Sequence, residues 1–211
     1  MERSVNMQQI RSIPAWYAND ASFDWLYAEH LQRLSKQHWT PMEIARKSAH
    51  FLAGGQGKRI LDIGSGIGKF CLIGAYYHPE AQFFGVEQRP DLHQAAISAK
   101  SATGVSNAYF KQGDFAHLHF PDYDHFYFYN AFFEHIATEG HIDQQPTFSA
   151  TLYHHYSRRL FQALDSKPGG TRLVTFHSLE DEVPPSYQLV DASVDFLLKM
   201  WIKREERYIH G

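Results

Sequence analysis

The chain has one cysteine in 211 residues, so an internal disulfide is excluded. It also has no run of about 18 apolar residues, the length that a membrane-spanning helix requires. Residues 1–17 are polar and lack the apolar centre of a secretion signal. These absences predict a protein that is neither inserted in a membrane nor secreted, and therefore a cytoplasmic location.

An excess of positive charge is absent as well. The chain has 20 Lys and Arg against 23 Asp and Glu, a formal net charge of −3, which gives no global field for nucleic acid. Histidines number 14, and they include His117, His119 and the adjacent pair His154 and His155. No set of Cys, His and Glu has the spacing of a zinc site, so we predict no metal centre.

What the chain does have is a glycine-dense turn between two apolar segments, within Arg59–Gly74. The short apolar run before the turn predicts a buried strand, and the apolar spacing after it predicts a helix. Glycines let the backbone turn tightly and bring its N–H groups against a ligand at the start of a helix. The predicted ligand loop consists of Gly64, Ser65, Gly66, Ile67 and Gly68.

The spacing of the loop discriminates between cofactors. A dinucleotide fingerprint, G-x-G-x-x-G/A, requires a small residue at the position of Lys69. A Walker A loop requires a different glycine spacing and a Ser or Thr after the lysine, where the chain has Phe70. The remaining pattern is D-x-G-x-G-x-G, which begins at Asp62.

Two more acidic residues end predicted strands. Gln82–Glu87 predicts a strand with a terminal carboxylate, and Ala108–Phe115 predicts another that ends in Gly113, Asp114 and Phe115. Glu87 lies at the distance from the loop at which a nucleotide-binding unit returns an acid to the ribose hydroxyls. Because open α/β sheets bind ligands at the carboxyl ends of their strands, we expect these acids to converge.

The segment before the loop has helical spacing. The apolar residues from Phe23 to Leu34 predict one helix from Asp20 onward. Thr40, Pro41 and Glu43 then match a capping box that opens a second helix. Thr40 therefore has two interpretations, a helix cap or a contact to a cofactor.

The second half of the chain continues the alternation. Asp124–Asn130 predicts a central fourth strand, Thr147–Leu164 a helix, and Thr171–His177 a fifth strand. Tyr187–Val190 and Phe196–Lys203 predict a hairpin that joins the sheet at its edge in antiparallel orientation.

The loop motif resembles the first motif of class I S-adenosylmethionine-dependent methyltransferases, and it matches at Asp62, Gly64, Gly66 and Gly68. The order of the later features is similar too, over about residues 40–204. The resemblance implies a doubly wound, mainly parallel seven-stranded α/β sheet with an antiparallel C-terminal hairpin and an N-terminal helical cap. Residues 1–55 are predicted to form the arm and helical cap, and residues 56–211 the methyltransferase core of the same domain.

The same resemblance implies S-adenosylmethionine as cofactor, S-adenosylhomocysteine as product, and methyl transfer to an unidentified nucleophile on a protein side chain or small molecule. The implied cofactor contacts are Thr40, Asp62, Gly64, Ser65, Gly66, Gly68, Glu87, Gln88, Asp114, Phe115 and Asn130.

The acceptor site is expected at the end of the fourth strand. Asn130-Ala131-Phe132-Phe133 partly resembles the [D/N]-P-P-[Y/F] motif of amino-group methyltransferases, without its two prolines. Tyr129 and Asn130 are the predicted catalytic residues, with Phe133 and the Trp39-Thr40 segment around them.

Three narrower or competing interpretations stay open. The segments L-D-I-G-S-G-I-G-K-F and F-G-V-E-Q are similar to the cofactor half of seven-strand histone lysine methyltransferases. A nicotinamide-dependent oxidoreductase on a Rossmann-like fold is the enzymatic alternative, and Lys69 opposes it. A non-catalytic module that binds S-adenosylmethionine is the other alternative.

Overall fold

The computed structural model describes residues 14–129, 150–178 and 183–205. One seven-stranded sheet organises these residues. In chain order the strands are β1 (Arg59–Ile63), β2 (Gln82–Glu87), β3 (Ala108–Gln112), β4 (His125–Tyr129), β5 (Arg172–Phe176), β6 (Tyr187–Ser193) and β7 (Leu198–Lys203). Their spatial order is β3-β2-β1-β4-β5-β7-β6. β1 to β5 are mutually parallel, whereas β7 pairs antiparallel with β5 and β6 antiparallel with β7. The predicted fold class is confirmed.

Seven α-helices accompany the sheet in the described ranges. They are α1 (Asp20–Asp24), α2 (Glu29–Gln32), α3 (Ser35–His38), α4 (Met42–Leu52), α5 (Lys69–Tyr77), α6 (Pro90–Thr103) and α7 (Ala150–Asp165). In the part of the chain that the structure describes, no helix is both long and apolar enough to cross a membrane.

The sheet separates two buried cores. Because side chains alternate along a strand, Ile60 of β1 enters one core, with α4, α5, α6 and the N-terminal cap. Leu61 and Ile63 enter the other core, which α7 covers. Tyr127 of β4 belongs to the first core, whereas its neighbours Phe126 and Phe128 belong to the second. Both faces of the central strands are therefore buried, as their continuous apolar sequence predicts.

The cap differs from the single helix that the spacing predicts, because it forms three short helices instead. The Asn19 side chain caps α1 by accepting a hydrogen bond from the Ser22 amide at 2.8 Å. The Leu26 and Tyr27 amides then bond to carbonyls three residues back, which tightens the chain and ends the helix. Phe23, Tyr27 and Leu31 still point into the core, so the apolar pattern is satisfied by a bent segment.

The capping-box interpretation of Thr40 is wrong. Helix α4 begins at Met42, and its N-cap residue Pro41 makes no side-chain capping bond. The Met42 amide donates instead to Asp20 Oδ1 at 2.9 Å, and the Thr40 hydroxyl shares a 3.0 Å hydrogen bond with the Tyr127 hydroxyl. Tertiary partners thus replace the local cap, and Thr40 ties the cap segment to β4.

The C-terminal hairpin is longer than the sequence predicts, since β6 extends to Ser193. A bulge between Leu189 and Asp191 shifts its register, and Val194, Asp195 and Phe196 form the turn with positive φ. The turn is thus built without glycine, the residue that most easily adopts this backbone conformation.

Candidate cofactor and acceptor site

The glycine loop between β1 and α5 needs its glycines for two different reasons. Gly64, Gly66 and Gly68 all have positive φ, at 73°, 52° and 81°. A Cβ atom on Gly68 would approach the Phe110 ring to 2.5 Å, so this position must be glycine for the loop to pack on β3. A Cβ on Gly66 would meet no atom within 4 Å. Gly66 therefore presents its backbone to open space, where a ligand can approach it.

Glu87, the last residue of β2, holds this loop directly. Its Oε2 accepts a hydrogen bond from the Gly66 amide at 2.8 Å, and its Oε1 accepts one from the Arg89 amide at 2.9 Å. A carboxylate can accept about four hydrogen bonds, so binding the loop is compatible with binding ligand hydroxyls. Glu87, the residue predicted to bind the ribose, is therefore in direct contact with the predicted ligand loop.

Asp62 lies beneath the loop, within β1, and its residue is only 3% exposed. Burial raises the pKa of Asp62 to about 8; the Cys71 thiol opposes this rise and the Glu87 charge adds to it. The Cys71 thiol donates to Asp62 Oδ2 at 3.6 Å. Cys71 itself is fully buried, and this burial raises the pKa of its thiol well above the usual range. The pair is a packed interior contact, and Cys71 lacks the exposed thiolate of a reactive cysteine.

Asp114 follows β3 at the carboxyl ends of the parallel strands, as Glu87 does at the end of β2. Its Oδ1 accepts from the Ala116 amide at 2.8 Å, and its Oδ2 accepts from the Tyr156 hydroxyl of α7 at 2.8 Å. Gln88 Nε2 donates to the same hydroxyl at 3.3 Å. Tyr156 thus links the segments after β2 and β3. No local pattern reveals this role, because helical spacing identifies Tyr156 only as a core residue.

The predicted cofactor contact Phe115 is buried, with an exposed fraction of 3%. Its ring packs against Tyr156 at 5.2 Å between centroids and edge-on against Phe120 at 6.2 Å. Phe115 therefore belongs to the core on the α7 side.

At the end of β4, Tyr129 is half-buried and packs on the ring of the last residue of β5 and on that of the residue after it. Its ring centroid lies 4.8 Å from Phe176 and 5.7 Å from His177. Burial raises the pKa of Tyr129, so its phenol stays protonated at neutral pH. The other predicted acceptor-site residues, Asn130 and Phe133, lie outside the described residues.

The N-terminal cap is attached to the glycine loop by polar contacts. The Tyr27 hydroxyl donates to the Ile67 carbonyl, within the loop, at 3.0 Å. Lys69, the first residue of α5, is 4% exposed, and its Nζ lies 2.6 Å from Asp20 Oδ1 and 3.3 Å from Asp24 Oδ1. In the sequence Lys69 is informative only because it opposes a dinucleotide motif, and no local pattern connects it to α1.

Lys69 also lies among aromatic rings. Its Nζ is 5.6 Å from the Phe23 ring centroid and 5.5 Å from that of Trp39. Both rings belong to the cap and are buried. Aromatic faces attract a cation, so these rings and the two carboxylates together stabilise a buried ammonium group.

The loop region fits an adenosine-type ligand. Within the described residues, the buried Ser65 hydroxyl has no hydrogen-bond partner, which leaves a polar group of the loop to be satisfied. Gly66 is open, Glu87 is the last residue of β2, and Asp114 follows the adjacent strand β3. Carboxylates accept from ribose hydroxyls and from an exocyclic amine, so the available groups match the chemistry of the predicted cofactor.

Comparison with known proteins now assigns the chain to a family. A model of the methyltransferase domain matches residues 55–204. The chain belongs to this methyltransferase domain family. No curated protein matches it. Membership of this family supports S-adenosylmethionine as the cofactor, and it gives the nicotinamide alternative no support. It does not distinguish the histone lysine methyltransferases, so that narrower resemblance stays a prediction.

Solved structures show the same fold. TrmN from Thermus thermophilus is 22% identical with a TM-score of 0.56, over 81% of this chain and 51% of TrmN. An RNA methyltransferase from Salinibacter ruber, in complex with S-adenosylhomocysteine, is 20% identical with a TM-score of 0.51, over 79% of this chain and 94% of that one.

A third neighbour is an O-methyltransferase family 2 protein from Planctomyces limnophilus in complex with apigenin. It is 16% identical with a TM-score of 0.57, over 87% of this chain and 62% of that one. The present chain thus spans about half the length of TrmN, with 51% covered. At these identities the likeness concerns the fold alone.

Proposed function

We propose that this protein transfers the methyl group of S-adenosylmethionine to a nucleophile bound beside the carboxyl end of β4, under the N-terminal cap. The observation that carries the proposal is the contact of Glu87 with the Gly66 amide, 2.8 Å long. This contact supports the proposal because it joins the carboxylate that we assign to the ribose to an open glycine loop, in a chain that belongs to the methyltransferase domain family.

The cofactor supplies a methyl group that its sulfonium already activates, so the protein must bind and orient both reactants. In this proposal Glu87 binds the ribose, and the loop amides approach the ligand between Gly64 and Gly68. Asp114, held by Tyr156, accepts from the adenine amine with Gln88 beside it. Orientation of this kind is worth up to about 7 to 11 kcal/mol of the barrier.

The methionine end of the cofactor falls, in this proposal, between Asp62 and Thr40. Support comes from the arrangement around Tyr127, which is 1% exposed, shares a hydrogen bond with Thr40 and pairs with Asp62 in the β1–β4 register. Thr40 thus connects β4 to the cap at the level where donor and acceptor would meet.

For the acceptor side we propose Tyr129 and Asn130 as the residues that contact the nucleophile. Tyr129 stands at the carboxyl end of β4, the strand adjacent to β1. The cap, held on the loop by Tyr27 and Lys69, shields the reacting groups from water. We also infer that cap and core, 1–55 and 56–211, form one domain, since Phe23 and Ile60 share one buried core.

Transfer of a labelled methyl group tests the proposal. The full chain is incubated with methyl-labelled S-adenosylmethionine and cell extract, which is then separated into protein, nucleic-acid and small-molecule fractions. The RNA methyltransferase and the apigenin complex among the structural neighbours make each fraction worth assaying. Label above that of a boiled-enzyme control supports transfer and names the acceptor class. Cofactor binding without label in any fraction would favour a non-catalytic module. A cytoplasmic location stays a prediction.

A further inference from the structure

His177 occupies a position at the edge of the sheet that sequence analysis did not single out. In the β4–β5 register Tyr129 pairs with Phe176, and His177 is the next residue after this pair. The His177 amide donates to the Leu197 carbonyl, just before β7, at 3.0 Å. His177 therefore lies directly beyond the carboxyl ends of β4 and β5, beside Tyr129 of the proposed acceptor site.

The imidazole packs on the aromatic groups of that site. Its centroid lies 4.4 Å from Phe176, with the rings at 72°, and 5.7 Å from Tyr129. The residue as a whole is exposed to solvent. An exposed imidazole beside a half-buried phenol is accessible to an incoming substrate, unlike the fully buried rings of β4.

The backbone at His177 is also unusual. Its φ is 54°, in the left-handed region that non-glycine residues adopt only rarely. Such conformations are energetically unfavourable and concentrate at functional sites. Here the conformation turns the chain away from β5 at the carboxyl edge of the sheet, with the side chain beside Tyr129.

The protonation state of His177 suits a proton acceptor. Partial burial lowers its pKa, so the ring is neutral at physiological pH. Among the described residues, the groups in contact with His177 include the Tyr129 phenol from β4, whose pKa burial raises, and the Leu197 carbonyl from the hairpin. The nearby Ser178 hydroxyl donates to the Phe176 carbonyl at 3.2 Å. Tyr129 therefore adds no charge beside the imidazole at neutral pH.

We propose that His177 is a catalytic residue of the acceptor site, which receives the proton of the acceptor during methyl transfer. This inference rests on the proposed function. The acceptor atom forms a bond to the methyl carbon, and the carbon–sulfur bond breaks with its electron pair remaining on sulfur. The acceptor's proton passes to the neutral imidazole, and the resulting imidazolium releases it to water.

A titration that needs no acceptor tests the placement. Histidine-labelled protein is titrated by NMR in the presence of saturating S-adenosylmethionine and, separately, S-adenosylhomocysteine; His177→Asn identifies the His177 signal. The two ligands differ by one positive charge at the sulfur. A unit charge about 6 Å away in a water-like dielectric changes a pKa by about 0.5 unit. We therefore expect the pKa of His177 to be lower by at least about 0.5 unit in the S-adenosylmethionine complex.

His78 is the matched control, because burial lowers its pKa as well. It follows α5 and precedes β2, so it lies at the amino ends of the parallel strands, away from the cofactor loop. It should titrate alike in both complexes. Equal pKa values of His177 in the two complexes would overturn the placement while leaving cofactor binding intact. If neither ligand binds, the proposed function fails, and the role of His177 fails with it.

Chemical rescue tests the catalytic step with the extract fraction that accepts label. His177→Gly removes the imidazole and suits the positive φ, so the fold is expected to survive. The transfer rate should fall at least about tenfold, and added imidazole should restore part of it, whereas wild type is unaffected. A rate that stays near wild type, or a loss that imidazole cannot restore in a folded variant, would contradict the proposal.

Discussion

Lys69 Nζ lies 2.6 Å from Asp20 Oδ1, across 49 residues of sequence, and this contact attaches the N-terminal cap to the glycine loop. The lysine side chain is 4% exposed, whereas those of Asp20 and Asp24 are 49% and 16% exposed. The cation is therefore the buried member of the group. Because Lys69 directly follows Gly68, this contact joins α1 to the residue next to the loop.

Replacement of this lysine should loosen the cap. Lys69→Met keeps the aliphatic volume but leaves two carboxylates without their cation. We expect the free energy of unfolding to fall by about 1.5 to 3 kcal/mol, the range for hydrogen bonds to charged groups. Lys47→Met is the control, because its pair with Asp191 is exposed at 43% and 48% and exposed pairs contribute about 1 kcal/mol or less. Equal losses from urea unfolding of the two variants would mean that Lys69 does not hold the cap.

Glu87→Ala should weaken both S-adenosylmethionine and S-adenosylhomocysteine by about 1.5 to 3 kcal/mol, because it removes the charged acceptor beside the loop. That range corresponds to roughly 10- to 150-fold in Kd, which calorimetry resolves. Glu80→Ala, at an exposed position just before β2, is the control and should leave both affinities unchanged. A folded Glu87→Ala variant within about twofold of wild type would remove Glu87 from the ribose site.

Asp114→Ala should weaken the two ligands by similar factors, because they share the adenine ring. Tyr156→Phe should produce a smaller loss of the same kind, since it removes only the hydroxyl that donates to Asp114 at 2.8 Å. The two changes should couple by at least about 0.5 kcal/mol in a double-mutant cycle. Additive effects would show that Tyr156 does not act through Asp114, and unequal losses for the two ligands would place Asp114 near the sulfur.

Asp62 should make stability depend on pH. Burial raises its pKa from 3.8 to about 8, so between these values the folded state retains a proton that the unfolded state has lost. The contribution of Asp62 to the free energy of unfolding therefore falls as pH rises from about 4 to about 8. Asp62→Asn removes the titration, so wild type should lose about 1.4 kcal/mol per pH unit relative to this variant. Urea unfolding at pH 5 and pH 7 measures the difference, and an equal gap at both pH values would contradict the assignment.

Local sequence patterns were sufficient for the sheet, the loop and the acids at strand ends. These features follow from patterns among neighbouring residues: apolar runs, glycine spacing and the position of Glu87 at the end of a run. The structure has the strands and the loop where these patterns predict them. Prediction from local patterns fails at Thr40. Its sequence matches a capping box, but its hydroxyl bonds instead to Tyr127, which lies 87 residues away.

Three residues whose roles the sequence does not reveal were hidden for the same reason. Lys69, Tyr156 and His177 gain their significance from contacts to distant elements, such as the 42-residue separation of Tyr156 from Asp114. Their local patterns indicate only a helix start, a core aromatic and a strand end. The predicted roles of Asn130 and Phe133 depend on a segment outside the described residues.

Calorimetric titration of the full chain with S-adenosylmethionine, S-adenosylhomocysteine and NADH tests the central claim most directly. The account predicts that S-adenosylmethionine and S-adenosylhomocysteine each bind at one site per chain and that NADH does not bind. Weaker binding of both S-adenosylmethionine and S-adenosylhomocysteine to Glu87→Ala would locate that site at the glycine loop. Binding of NADH in preference to S-adenosylmethionine, or S-adenosylmethionine binding that is indifferent to Glu87, would contradict it.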